Sequence, residues 1–203
     1  CQDKHFKLGS DIVLSKEWKP IDASDGCFGS LDGDGHSILG MKIKSSNRNV
    51  GFFSEIKGGT IKNLLIDGDV HGKNNVGIFA GKADETVFSN CVAIGFVKAD
   101  SNNAGGFFGT SSARVENCVS ALYSVEAVAN AGGFAGSSSG QIINSMSAVH
   151  SVLADMYAGG IAGINNTGTI KNCFAASMNV VDFLTYNSGR ITTNKESGTT
   201  QNN

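Results

Sequence analysis

The chain has little of what marks a membrane, nucleic-acid-binding or metallopeptidase protein. Its 203 residues include one proline and one tryptophan, and 16 basic against 18 acidic side chains give a net charge of −2. Because no basic run occurs, a surface for nucleic acid or anionic membranes is not expected. Apolar stretches last only a few residues, which excludes a membrane-spanning helix of about 20 residues. An HExxH zinc-peptidase motif is also missing.

Glycine, by contrast, is abundant. The chain has 27 glycines, about twice the usual share of ~7%. Glycine, serine and asparagine scattered among β-branched residues predict many short strands joined by tight turns. The length suits one domain or one elongated array, since domains usually hold about 100–200 residues.

Two columns of residues recur with the same period. Glycines stand at positions 51, 77, 105, 132 and 159, in steps of 26, 28, 27 and 27. Asparagines stand at positions 63, 90, 117, 144 and 172, in steps of 27, 27, 27 and 28. A shorter copy, residues 37–43, precedes them and has Gly40 at the asparagine position. One period kept by two columns predicts a repeat architecture.

Each copy has the pattern of three short strands: a glycine segment such as 132–136, a segment around the asparagine such as 169–175, and an apolar alternation such as 123–128. No copy sustains the i, i+3, i+4, i+7 period of a helix. The sequence therefore predicts an all-β fold, a parallel β-helix (β-solenoid) of about five to six coils with about 27 residues per coil. Strands stack about 4.8 Å apart, so each residue lies over its equivalent in the next coil.

The repeats divide the chain into three parts. Residues 1–36 are predicted to form leader strands and an N-terminal cap, and residues 37–184 the β-helix. Residues 185–203 are predicted to form a partial last coil and a polar, flexible tail, because their composition cannot build a core. No capping element follows the last coil, so we expect a segment of a longer protein with flanking domains.

Stacking predicts which columns face inward. The residues two before each asparagine form an apolar ladder: Ile38, Ile61, Phe88, Val115, Ile142 and Ile170. The residues one after it are also interior: Met41, Leu64, Cys91, Cys118, Ser145 and Cys173. The glycine strands add Phe53, Phe79, Phe108, Ala135 and Ala162. The asparagines themselves are interpreted as a turn ladder with amide hydrogen bonds along the axis, and a polar binding face is the alternative.

The segments VGIFAG, GGFFG, GGFAG and GGIAG, each followed by a strand like I-x-N-C, resemble the GLUG repeat of bacterial surface proteins. The leader segments FKLGSDIVLS and WKPI agree with this resemblance, which covers residues 6–176. It implies a right-handed β-helix in large secreted or wall-attached proteins, including adhesin-like proteins and non-catalytic regions of IgA-cleaving metallopeptidases. The chain departs from the motif at Glu55, where the closing glycine is missing, and at Ser145, where the cysteine is missing.

The five cysteines are assigned structural roles. We predict that Cys91, Cys118 and Cys173 are reduced and buried, because parallel stacking keeps Cβ atoms farther apart than the ~3.5–4.5 Å of a disulfide. No histidine shares their column, so a zinc site is not expected. Cys1 and Cys27 lie in the leader, and whether they pair, or whether Cys1 is a lipidated N-terminus, stays open.

Two acidic segments offer alternatives. Residues 31–36, LDGDGH, resemble the opening of a calcium loop but lack its further oxygen ligands, so a tight turn with His36 in it is predicted. Asp67 and Asp69 flank Gly68, and paired carboxylates for sugar cleavage are the alternative interpretation of them; neighbouring coils have no acidic counterpart. A solvated turn is the preferred interpretation of both.

A third candidate lies six residues after the asparagines. Phe96, Tyr123, His150 and Met178 form a column on one face. Because this column alternates with Val125 and Val152, we assign it to the core, and an exposed sugar-binding stripe is the alternative.

These observations predict a non-enzymatic extracellular structural or adhesive module of a larger bacterial surface protein, secreted or at the cell surface. No catalytic residue, cofactor-binding residue or metal ligand is assigned, and the binding residues are unknown. The expected partners are a host or cell-surface glycan or protein and flanking domains of the same chain, with no nucleic acid and no membrane insertion. A polysaccharide-binding or -cleaving β-helix enzyme, and a non-catalytic region of a secreted peptidase, are the alternatives.

Overall fold

Four parallel sheets surround one core, and successive turns of the chain add strands to each of them. The computed structural model describes residues 4–184, 188–193 and 198–203. The prediction of an all-β parallel solenoid with about 27 residues per turn is confirmed. The number of turns is about seven rather than five to six, because strands of the leader and of the tail also stack. No helix that spans a membrane occurs among the described residues.

The strands are numbered along the chain. Sheet A contains β1 (Lys4–Lys7), β4 (Phe28–Asp32), β8 (Thr60–Lys62), β12 (Val87–Ser89), β16 (Arg114–Glu116), β20 (Gln141–Ile143), β25 (Thr169–Lys171) and β28 (Thr199–Gln201). Sheet B contains β2 (Ile12–Val13), β5 (Ser37–Lys44), β9 (Leu65–Gly72), β13 (Val92–Ala99), β17 (Val119–Ala127), β21 (Met146–Ser147), β22 (Ser151–Ala154), β26 (Phe174–Ala175) and β27 (Asn179–Asp182). Sheet C contains β3 (Ile21–Ala23), β7 (Phe53–Lys57), β11 (Ala80–Asp84), β15 (Phe108–Ser111), β19 (Ala135–Ser138) and β24 (Ala162–Asn165). Sheet D contains β6 (Asn49–Val50), β10 (Asn75–Gly77), β14 (Asn103–Gly105), β18 (Asn130–Gly132) and β23 (Tyr157–Gly159).

A full turn has strands in four sheets, passing through A, B, D and C, rather than the three strands predicted. The asparagines at 63, 90, 117, 144 and 172 adopt left-handed φ values of 49–54°, and each divides its segment between sheets A and B. The glycine segment is also divided, between sheets D and C, but by close backbone approach rather than by a left-handed residue. A Cβ at Gly105 would lie 2.1 Å from the Phe108 carbonyl oxygen, so only glycine permits this corner.

The predicted inward columns are buried, but each contains one residue that was aligned wrongly. Met41 pairs with Gly68 rather than lying in the column of Leu64. Leu31, not Ile38, pairs with Ile61, because the turn at 33–36 inserts residues before β5. Ile38 is still interior and pairs with Ile66. In sheet C the column is Phe53, Ala80, Phe108, Ala135 and Ala162. Phe79 lies instead at the corner, where its ring stacks on Phe107 and Phe107 stacks on Phe134.

The leader and the tail extend the same sheets. Strand β2 pairs with β5 across the predicted boundary at residue 36. Strand β28 pairs with β25. The predicted flexible tail, residues 185–203, lies partly outside the described residues.

The missing closing glycine, the first departure from the repeat motif, has a structural explanation. In register, Ser54 rather than Glu55 replaces the closing glycine, which is Gly81 in the next turn. A Cβ at Gly81 would lie 2.3 Å from the Val50 amide nitrogen of sheet D. Among the described strands sheet D begins with β6, so Ser54 has no such neighbour and a side chain is tolerated.

Candidate binding face on sheet B

The outer face of sheet B carries an exposed aromatic pair. Phe96 is 46% exposed and Tyr123 is 62% exposed. Their rings stack with centroids 4.9 Å apart and an interplanar angle of 19°. His150 and Met178 continue the column and are also exposed. The assignment of this column to the core was wrong, and the exposed alternative describes its position.

A β-bulge explains the error. In the pairing of β13 with β17, Gly95 pairs with Leu122 and Phe96 with Ser124, so Tyr123 is an extra residue. Without the bulge, Tyr123 and the buried Val125 would share one face of the strand. The bulge shifts the alternation and directs Tyr123 outward.

An open groove adjoins the aromatic pair. It has a volume of about 620 Å³. Its lining includes the charged side chains of Lys16, Glu17, Lys42, Lys44 and Asp69 and the imidazole of His71. Register connects the groove to the pair, because Lys42 pairs with Asp69 and Asp69 with Phe96. The two features therefore form one continuous surface.

On sheet B, the column next to Asp69 and Phe96 is polar and contains His71, Lys98 and Glu126. His71 contacts Asp100 with 2.8 Å between Nε2 and Oδ1. Lys98 donates to Glu126 with 3.2 Å between Nζ and Oε2. These exposed pairs contribute little to stability, and they line the edge of the groove and the aromatic pair with hydrogen-bonding groups.

The two carboxylates of the sugar-cleavage alternative also lie on this face. Asp67 and Asp69 belong to strand β9, not to a turn as predicted, and residues two apart on a strand point to the same side. Asp69 lines the groove, and Asp67 lies two residues before it on the same side of β9. Carboxylates at such positions accept hydrogen bonds from hydroxyl groups.

The segment 31–36 forms the predicted tight turn. The Asp32 carboxylate accepts a hydrogen bond from the Asp34 backbone N–H at 2.9 Å and from the Asn63 amide at 3.1 Å. These two contacts, in that order, lower the pKa of Asp32. His36 lies 3.3 Å from Asp11. The side chain of Asp32 thus begins the asparagine ladder.

Two asparagine ladders run along the solenoid. The predicted ladder at the corner between sheets A and B includes a bond of 3.2 Å from Asn90 to Asn63 and one of 3.1 Å from Asn172 to Asn144. The sequence analysis missed the second ladder, in sheet D, although its positions have steps of 26, 28 and 27. Its side-chain bonds, of 2.7, 2.9 and 2.6 Å, join successive members of the series Asn49, Asn75, Asn103 and Asn130. Both ladders use their amides within the molecule.

The cysteine column is structural. Cys91, Cys118 and Cys173 are free and buried, as predicted. The Cys91 backbone N–H donates to the Cys118 sulfur at 3.4 Å, and the Cys118 N–H donates to the Ser145 hydroxyl at 3.1 Å. Serine therefore replaces cysteine in the same role. The contact with Cys118 and burial raise the pKa of Cys91, and burial raises the pKa of Cys173.

Cys27 is disulfide-bonded. Cys1 lies outside the described residues, so its pairing with Cys27 and its lipidation stay predictions. Among the described residues, no group of three or more His, Cys, Asp or Glu side chains is arranged to hold a metal ion.

A segment that the sequence analysis overlooked, Gly136–Gly140, has the G-x-S-x-G spacing of hydrolase nucleophiles. Its central Ser138 is 2% exposed and ends strand β19 of a parallel sheet. A nucleophile elbow instead presents its serine at an exposed strand-to-helix turn, so the buried Ser138 is not placed as a nucleophile.

No protein-family model matches the chain, so membership of the GLUG repeat family stays a prediction. Halomucin from Haloquadratum walsbyi is 36% identical over 126 residues, which cover 55% of this chain and 1% of halomucin. The crystal structure of a Bacteroides ovatus protein described as a candidate immunoglobulin A1 protease has a TM-score of 0.78 and 24% identity. This likeness covers 99% of the chain and 68% of that protein, and it establishes the fold.

Proposed function

We propose that the chain is a non-catalytic module of a larger extracellular surface protein, which binds a cell-surface glycan or protein through the outer face of sheet B. The observation that carries this proposal is the exposed Phe96–Tyr123 stack. Contiguous exposed apolar groups with a polar rim mark interaction sites. Aromatic rings suit this role because fixing two side-chain torsions costs little entropy.

The solenoid gives this face a rigid support. Seven steps of about 4.8 Å between strands make a stack about 34 Å long. The two asparagine ladders and the stacked phenylalanines of the core hold successive turns in register. A stiff stack of this kind is suited to presenting a binding face away from its point of attachment.

The comparisons support an extracellular location. Halomucin is a mucin-like protein by its name, and the Bacteroides ovatus protein is named as a candidate immunoglobulin A1 protease. The 1% share of halomucin that this chain spans fits a module within a much longer protein.

Labelling of intact cells tests the location. An antibody raised against the solenoid is expected to bind intact cells that express the full-length gene product, or to detect the protein in the culture medium of those cells. Labelling that requires lysis of the cells would refute the proposal.

The enzyme alternative depends on Asp67 and Asp69, of which Asp69 lines the groove and Asp67 lies on the same side of β9. An acid and a base have to flank the scissile bond, with their carboxyl groups about 5–10 Å apart. Because Asp67 and Asp69 project from one strand, both carboxylates approach a bound polysaccharide from the same side. This arrangement favours hydrogen bonding over bond cleavage.

Incubation with acidic and neutral polysaccharides, with and without calcium, distinguishes the two functions. No new reducing ends are expected. Turnover that disappears in Asp67→Asn or Asp69→Asn would establish the enzyme instead.

A further inference from the structure

We propose that the outer face of sheet B binds an acidic polysaccharide, laid along the solenoid axis from the lysine-lined groove to the Phe96–Tyr123 stack. This inference depends on the proposed function and names the ligand of the same face. It unites the groove, the unpaired lysines and the aromatic column, which arise from different strands.

The charges of the groove favour an anionic ligand. Lys16, Lys42 and Lys44 line it, and none of them forms an ion pair with the described residues. Of the two carboxylates in the lining, Glu17 accepts a hydrogen bond from the Lys44 backbone N–H at 3.1 Å. The other carboxylate is Asp69, so three lysines against two carboxylates leave the lining with a net charge of +1 when His71 is neutral. Lysine ammonium groups bind carboxylates or sulfates as point charges.

The direction of the chain follows from the register. The column Lys42, Asp69 and Phe96 runs through β5, β9 and β13, and Tyr123 follows on β17. Neighbouring strands are about 4.8 Å apart, close to the length of one pyranose ring. A polysaccharide parallel to the axis thus places successive sugars over successive turns.

The aromatic pair supplies the second contact. Because the Phe96 and Tyr123 rings stack with centroids 4.9 Å apart, each covers one face of the other and their orientation is fixed. The apolar C–H groups of a sugar chain pack on the ring surface that stays exposed. Hydroxyl groups of the sugar meet the polar column at its side, where Lys98 and Glu126 lie on the same two strands. An apolar strip beside hydrogen-bonding groups is the composition expected of a carbohydrate site rather than of a protein-binding core, from which charged residues are depleted.

Binding to polygalacturonate, compared with the same polymer fully methyl-esterified, tests the proposal by calorimetry on the intact chain. The acid polymer is expected to bind more tightly, with an affinity that falls as salt is added. Combined replacement of Phe96 and Tyr123 by alanine is expected to weaken binding of the acid polymer about tenfold. Combined replacement of Lys42 and Lys44 by alanine is expected to remove most of the difference between the two polymers.

Matched controls separate the site from general effects. Phe174→Ala removes an exposed ring from another column of sheet B, and Lys57→Ala removes an exposed lysine from sheet C, so both are expected to bind normally. Circular dichroism of every variant establishes that it folds.

Equal affinity for the two polymers, no binding of either, or unchanged binding by the aromatic double variant would overturn the proposal. If the antibody labels intact cells but the chain binds no polygalacturonate, the ligand assignment fails and the proposed surface function stands. A further test measures attachment of the chain to cells after periodate oxidation of their glycans or after protease treatment. Attachment that survives periodate but not protease would indicate a protein partner and overturn the polysaccharide proposal.

Discussion

Replacement of Phe107 by alanine tests the stacked core. The Phe107 side chain is fully buried, and its ring centroid lies 4.7 Å from that of Phe79 and 4.8 Å from that of Phe134. Deleting a buried phenylalanine ring costs about 3–5 kcal/mol. In a chain of this size each kcal/mol shifts Tm by about 2–4 °C, so Tm is expected to fall by about 10 °C.

Phe96→Ala is the matched control, because it removes the same side chain from the exposed column. Its expected cost is at most about 1 kcal/mol, from the lost stacking on Tyr123. Urea unfolding is followed by circular dichroism, which reports all sheets, and by fluorescence of Trp18, which stacks on Phe52 with centroids 4.8 Å apart. Different midpoints would indicate that the turns unfold separately. Equal losses for Phe107→Ala and Phe96→Ala would refute the assignment of Phe107 to a continuous core.

Three further results are expected. Cys91, Cys118 and Cys173 should give three free thiols under denaturing, non-reducing conditions and react slowly in the native state, because they are buried; fewer than three would contradict the structure. Asn117→Val should lower the free energy of unfolding by about 1–2 kcal/mol, because the backbone at Asn117 is left-handed. Asn117→Gly should lower it clearly less, and equal losses would exclude the backbone conformation as the cause. Since the folded pKa of Asp32 is lowered, its stabilising contribution is complete above the unfolded pKa of about 3.9 and is lost as pH falls through the folded value. Urea midpoints of Asp32→Asn should therefore fall less than wild type between neutral and acid pH, and an identical pH dependence would contradict this reasoning.

The columns of the solenoid were predictable because parallel stacking repeats one local environment at each turn. A residue buried in one copy is therefore buried in the next, as with Ile61 and Val115. Small hydrogen-bonding side chains such as Cys118 and Ser145 recur for the same reason.

The corners were harder to predict. Asn172 was interpreted as part of a turn ladder, yet the segment 169–175 around it was also predicted to be one strand. The structure divides this segment between β25 in sheet A and β26 in sheet B. The first copy was misaligned because the turn at 33–36 adds residues that later copies lack. A period establishes which residues stack, but an insertion changes the register locally.

The candidate site depended on one bulge. Strict alternation places Tyr123 on the side of the buried Val125, and a single extra residue reverses that assignment. The groove was also not visible in the sequence, since Lys16 comes from the leader and Lys42 and His71 from two different turns.

Hydroxyl-radical footprinting most directly tests the claim that the chain binds through the outer face of sheet B. With saturating polygalacturonate, oxidation of Phe96 and Tyr123 is expected to fall, while oxidation of the equally exposed Phe6 and Phe174 stays unchanged. Protection confined to Phe6 or Phe174, or no protection of the aromatic pair by a ligand that binds, would contradict the account.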